Sequence, residues 1–229
     1  MFCNELAHDS ASAAATRSDF AGTPTPRPLP WIIGGIAIAA LAVALGTVAA
    51  GLDPVRIAFD ENGPIELVQA ACLAVSAVIF AAAFLKSSGA RALYCVIAFG
   101  AIVAATTRET PRCDSAFYDG GMCLTGGGKD SIVIAAAILC VLALLWRPLD
   151  WRKVLHPVAL RWVWPSFFVM AMLAGSEIAE HAILMALEES LELAAYLYLA
   201  TFGLWLLHHS RQGSGELEAA APARPRALR

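Results

Sequence analysis

Residues 176–193, SEIAEHAILMALEESLEL, set five carboxylates and one imidazole between two apolar segments. Upstream, Trp162 to Gly175 carries no charge, and downstream neither does Leu193 to Leu207. Two membrane-crossing segments therefore meet here, and the acids lie at or just beneath a membrane surface. An ionisable side chain at that depth is costly and rare, which makes the stretch a functional-site candidate by default.

Working outward, the 229 residues are 59% hydrophobic and 15% charged. A soluble domain averages about 45–50% apolar and about 25% charged, so the chain reads as an integral membrane protein. Long apolar runs fall at Trp31–Leu52, Ile65–Leu85, Ala92–Thr107, Ile132–Trp146, Trp162–Gly175 (continued at Ala182–Leu187) and Leu193–Leu207. A crossing helix needs about 20 residues, which the shorter runs reach with their flanks. The runs lack the alternation of barrel strands. The expectation is an all-α fold: six transmembrane helices over residues 31–209, between disordered cytoplasmic tails at 1–30 and 210–229. The first run exceeds the roughly 7–15 residues of a signal-peptide core and no basic residue opens the chain, so it is read as a retained span.

Charge distribution orients the bundle. With six spans, 12 of the 16 basic residues fall on the side of the termini, leaving Arg56, Arg108, Arg112 and Lys129 opposite. Basic residues favour the cytoplasm, which predicts both termini inside. The short loops and high alanine content suit a bacterial inner membrane. Acidic residues show the reverse bias, with 13 of 19 on the outer side. Carboxylates contribute little to insertion, so their bias needs another cause. The external loop from Arg108 to Lys129 holds Cys113 and Cys123. An oxidising compartment permits a disulfide there, whereas C-x9-C without a nearby His fits a zinc knuckle poorly. The loop's glycines argue against a regular element, with the fourth helix expected from Asp130-Ser131. In the first external loop, Asn62 is a candidate cap ahead of Pro64.

Helix dipoles sort the acids. The second, fourth and sixth helices start outside, where the positive dipole end favours carboxylates by about 0.3–1 kcal/mol; Asp60, Glu61, Asp130, Glu188 and Glu189 fit that structural account. The third and fifth helices end outside, where negative charge is disfavoured, yet Glu109, Glu177 and Glu180 stand there. Glu177, Glu180 and His181 share a face at i, i+3 and i+4. Glu66 and Gln69 on helix two, and Glu189 and Glu192 on helix six, pair at i, i+3 in the same way. The expected pocket wall is Glu66, Gln69, Glu109, Glu177, Glu180, His181, Glu189 and Glu192. Arg108, Lys129, a protonated His181 or a bound cation are the groups able to compensate it.

Carboxylates with one imidazole suit a divalent cation, Ca, Mg, Mn or Fe. The spacing of Glu177 and His181 departs from the Glu-x-x-His of di-iron bundles. No carboxylates continue into the inner halves of the spans, which argues against an ion pathway. A second expectation is a metal-dependent hydrolase acting on a lipid headgroup; multi-span alkaline ceramidase-like hydrolases resemble the chain in architecture, but their site uses several histidines where only His181 is available outside. A third is a structural subunit of a membrane complex, docking through residues 108–129, with a polar network that only fixes helix packing. The expected surroundings are the lipid bilayer, with no nucleic-acid partner.

Overall fold

A computed structural model of the chain describes residues 25–52, 59, 63–114, 120, 122–147, 149, 151–155 and 157–219. Among the described residues six long helices form the fold, α1 (Pro28–Ala50), α2 (Pro64–Lys86), α3 (Gly89–Glu109), α4 (Gly126–Trp146), α5 (Ser166–His181) and α6 (Met185–Ala219), with a single helical turn at Trp151–Val154 between α4 and α5. Each of the six lies in a segment long and apolar enough to cross a membrane, the fifth segment running from Leu160 and the sixth to Ser210. The chain is an all-helical, multi-pass membrane protein. The expectations for Asp60, Glu61, Asn62 and the first 24 residues fall outside the described residues.

Local signals place the helix starts. Pro64 begins α2, with Gly63 rather than Asn62 in the capping position, as suits a residue whose missing N–H would be unpaired in the first turn anyway. The fourth helix starts earlier than expected, at Gly126, because the Thr125 hydroxyl accepts from the Gly128 N–H at 3.2 Å; a good cap outweighs three poor helix formers. Pro165 caps α5 after a 3-10 segment at Pro157–Val163. Where a structureless tail was expected from residue 210, α6 continues to Ala219. Extending an existing helix costs little compared with nucleating one.

Around α6 the other helices arrange themselves: α1, α2 and α5 pack on it, α3 packs on α2, and α4 packs on α3. The buried face of α1 consists of Gly35, Ala42, Gly46 and Ala49. Small residues let helix backbones approach closely inside a membrane. At Gly46 a Cβ would lie 2.7 Å from Leu187 Cα and 2.8 Å from the Ala186 carbonyl. In α4 only Ala136 is buried; Cys140, Ala143 and Leu144 pack beside it on the core, and the outer face of the helix is exposed.

The two ends of the bundle differ. Toward the end where α1 starts and α6 finishes, rings interlock: Trp31 meets Tyr198 edge-on at 5.5 Å, Tyr94 meets Trp162 at 5.2 Å, and Phe202 stacks on Trp205 at 5.9 Å. The Tyr94 and Ser166 hydroxyls are hydrogen-bonded, tying α3 to α5. Arg147 donates to the Ser87 and Leu85 carbonyls at the end of α2 and lies 4.7 Å over the Phe84 ring. This aromatic layer closes the bundle on that side. The buried acids collect at the opposite end.

Candidate functional site

At the acidic end the polar side chains come from α2, α3, α5 and α6. Glu109, Glu189 and Glu192 are all buried, at 5%, 9% and 3% exposure, with Gln69 at 0% and Ser176 at 2%. An isolated carboxylate cannot be buried cheaply, and each of these three has a donor. The Tyr196 hydroxyl donates to Glu109 Oε1 at 2.9 Å. The Arg108 guanidinium donates to Glu192 Oε1 at 3.2 Å and lies 4.0 Å from Glu109 Oε1. Gln69 Nε2 donates to Glu189 Oε2 at 2.8 Å and to the Glu189 carbonyl at 2.9 Å. Ser176 donates to the Leu173 carbonyl at 2.8 Å, with Glu192 Oε1 a further 3.5 Å contact.

Helix geometry explains this convergence. Glu189, Glu192 and Tyr196 stand at i, i+3 and i+7 on α6, one continuous stripe, and that helix is enclosed on several sides. Arg108 and Glu109 occupy the last turn of α3, so the guanidinium reaches over the buried acids from the surface, its side chain 59% exposed. Glu66, one turn from Gln69, is half-buried and within electrostatic reach of Glu189.

Three expected wall residues are not part of this cluster. Glu177, Glu180 and His181 are exposed; the imidazole Nδ1 is hydrogen-bonded to the Glu177 carbonyl at 2.8 Å and lies 3.9 Å from the Glu177 carboxylate. The physical reason is rotational. The buried face of α5 is Val169, Met172, Ser176 and Ala179, and a step of one residue turns a side chain about 100° around the axis. Glu180 remains within electrostatic reach of Arg108.

Lys129 also differs from expectation. Its ammonium donates to the Thr110 carbonyl and, at 3.4 Å, to the Arg108 carbonyl. It therefore serves the unpaired carbonyls at the end of α3 and places positive charge at the negative dipole end, from where it reaches Glu109 and Glu66 electrostatically without an ion-pair contact. The loop between them is closed by a Cys113–Cys123 disulfide, with backbone hydrogen bonds from Cys113 to Leu124 and from Leu124 to Pro111.

Tyr196 was not among the expected residues, although its i+4 relation to Glu192 was visible. Ser176 bonds back to its own α5 backbone, as a hydroxyl packed between membrane helices does. Within the cluster, Gln69 Oε1 finds no donor among the described residues. Among those residues, moreover, no three His, Cys, Asp or Glu side chains converge as a metal-ligating group, and the cluster contains no imidazole. Its carboxylates face the N–H and O–H donors of Arg108, Gln69 and Tyr196. Searches of family models, curated proteins and solved structures found no match to the chain.

Proposed function

We propose that this membrane protein binds a hydrogen-bonding cation in the buried acid cluster, and that the cluster lies at the exoplasmic face of a bacterial cytoplasmic membrane with both termini inside. The observation that carries the binding reading is charge imbalance. Three carboxylates are buried together, while among the described residues Arg108 ion-pairs with two of them and Lys129 lies within electrostatic reach of Glu109, which leaves Glu189 without a cation. Buried charge is stable only when paired and hydrogen-bonded. An ammonium-type ligand supplies both the missing charge and a donor for Gln69 Oε1. The orientation rests on the 12 of 16 basic residues at the terminal end.

The test is a thermal-stability titration of the detergent-purified full chain with methylammonium, Mg2+, Ca2+ and Mn2+. The expected result is saturable stabilisation by methylammonium that disappears in Glu189→Gln/Glu192→Gln. If no cation stabilises the wild type and the double variant melts below it, the acids are a network that only fixes helix packing. A divalent ion retained stoichiometrically in elemental analysis would instead assign the site to Ca, Mg, Mn or Fe. Topology is read separately: in Cys123→Ser, Cys113 should react with a membrane-impermeant maleimide added outside intact cells. The geometry does not favour the metal-dependent hydrolase, because among the described residues no three His, Cys, Asp or Glu side chains converge as a metal-ligating group and the exposed His181 is bonded to Glu177.

A further inference from the structure

The three buried acids are not equally provided for. Glu192 accepts from the Arg108 guanidinium at 3.2 Å, and Glu109 has that guanidinium at 4.0 Å together with the Tyr196 hydroxyl at 2.9 Å. Among the described residues the side-chain donor to Glu189 is the neutral Gln69 amide. The neighbours within electrostatic reach of Glu189 are Glu192 on α6, Glu66 on α2 and Glu109 on α3, all of them acids. Of the remaining elements, α5 brings the uncharged Ser176 to the cluster, α1 buries only Gly35, Ala42, Gly46 and Ala49, and Lys129 of α4 acts on Glu66 and Glu109. Arg108 is engaged by Glu192 and Glu109.

The surroundings of Gln69 fix which way its amide points. Nε2 lies 2.8 Å from Glu189 Oε2 and 2.9 Å from the Glu189 carbonyl. Both are acceptors, so exchanging N and O would set acceptor against acceptor twice. Oε1 is thereby left as a buried acceptor with no donor among the described residues, a costly state for a polar group away from water. A buried carboxylate that finds no cation neutralises instead of staying charged. A protonated carboxyl is an O–H donor as well as an acceptor, so one proton on Glu189 removes the uncompensated charge and supplies a donor beside the amide. It also needs no cavity, and Gln69 is 0% exposed.

We propose that Glu189 carries a proton when no cation is bound, placed to donate to Gln69 Oε1, and that an entering cation takes the place of that proton. This rests on the cation-binding reading and adds how the binding is regulated. In the exchange the Glu189 O–H bond breaks, the proton passes to bulk water, and the carboxylate left behind accepts from the ammonium. The net charge of the cluster is unchanged. Binding is therefore weak at low pH, where the proton holds the carboxyl, and tightens as pH rises until Glu189 ionises unaided.

Two measurements on the detergent-purified full chain test the exchange. Calorimetric titration with methylammonium, in buffers of different ionisation heat from about pH 5 to about pH 9, should show about one proton released per methylammonium bound, with affinity rising about tenfold per pH unit on the acidic side before levelling. Infrared spectra without methylammonium, at neutral pH where exposed carboxyls are ionised, read the proton itself. The carbonyl stretch of a protonated carboxyl should appear in the wild type, persist in Glu192→Gln and vanish in Glu189→Gln. Glu189→Asp keeps an acid at the position should the Gln variant fail to fold, and it should shift the band. A wild type without the band, or a band unmoved by either change at Glu189, overturns the proposal. Methylammonium binding of constant affinity with no proton released sinks the exchange alone, whereas no methylammonium response at any pH sinks the parent reading and leaves the band to decide whether Glu189 holds a proton.

Discussion

Ile183 ought to be a poor choice for its position, and replacing it should stabilise the protein. It lies at φ 59° in the turn between α5 and α6. The Ile183 N–H donates to the Glu180 carbonyl and the Leu184 N–H to the Ala179 carbonyl, both at 2.9 Å. These are the two bonds of a Schellman ending, whose left-handed residue is usually Gly or Asn. An L-residue there costs about 1–2 kcal/mol, and a β-branched one is a genuine outlier. The side chain is 84% exposed, so little packing is returned. Ile183→Asn should relieve part of the strain without adding backbone freedom. Ile183→Gly relieves more but gives back roughly 0.5–1 kcal/mol in unfolded-chain entropy. Either change should gain about 1 kcal/mol, which for a chain of this size is about 2–4 °C. Thermal melts in one detergent, with Ile183→Val as a control expected to match the wild type, decide the matter. If both Asn and Gly melt at or below wild type, the left-handed strain is absent or the exposed side chain has a contact that outweighs it.

Other perturbations probe separate parts of the bundle. Gly46→Ala should cost about 1–3 kcal/mol, the usual range for overpacking, because the added Cβ meets backbone atoms of Ala186 and Leu187; a melting point equal to wild type would show that α1 is not held there. Arg108→Met removes the cation at Glu192, and since the side chain is 59% exposed water moderates the loss to about 1 kcal/mol. In a Glu192→Gln background most of that loss should vanish, and additive effects in the double-mutant cycle would deny the coupling. Removing the disulfide with Cys113→Ser/Cys123→Ser should lower stability by up to about 3 kcal/mol for a loop this short; a reductant should reproduce the shift in wild type and leave the variant unchanged.

How an acid is placed in this fold depends on two independent geometric facts, and only one is legible in the amino-acid sequence. Apolar run lengths locate the six spans, and helix polarity marks Glu109, Glu177 and Glu180 as acids at the wrong dipole end. Polarity is a property along the helix axis; burial is decided by rotation about it, and rotation depends on which neighbour the helix meets. For α5 the clue was present but unweighted: Met172, Ser176 and Ala179, at i, i+4 and i+7, make an uncharged stripe of the kind that packs in membranes, which turns Glu177, Glu180 and His181 outward. The glutamates of α6 have less choice, since that helix is enclosed by α1, α2 and α5 and Glu189 and Glu192 are buried with it. Lys129 eluded prediction for another reason. Its role depends on α4 beginning at Gly126, which the Thr125 cap permits, so that its long side chain reaches the carbonyls ending α3. The central helix therefore brings its acids inside the bundle whatever the dipole favours, and any compensation must come from neighbouring helices or from a ligand. Arg108 supplies one charge from α3. The remaining imbalance lies around Glu189, the acid whose partner Gln69 retains an unused acceptor.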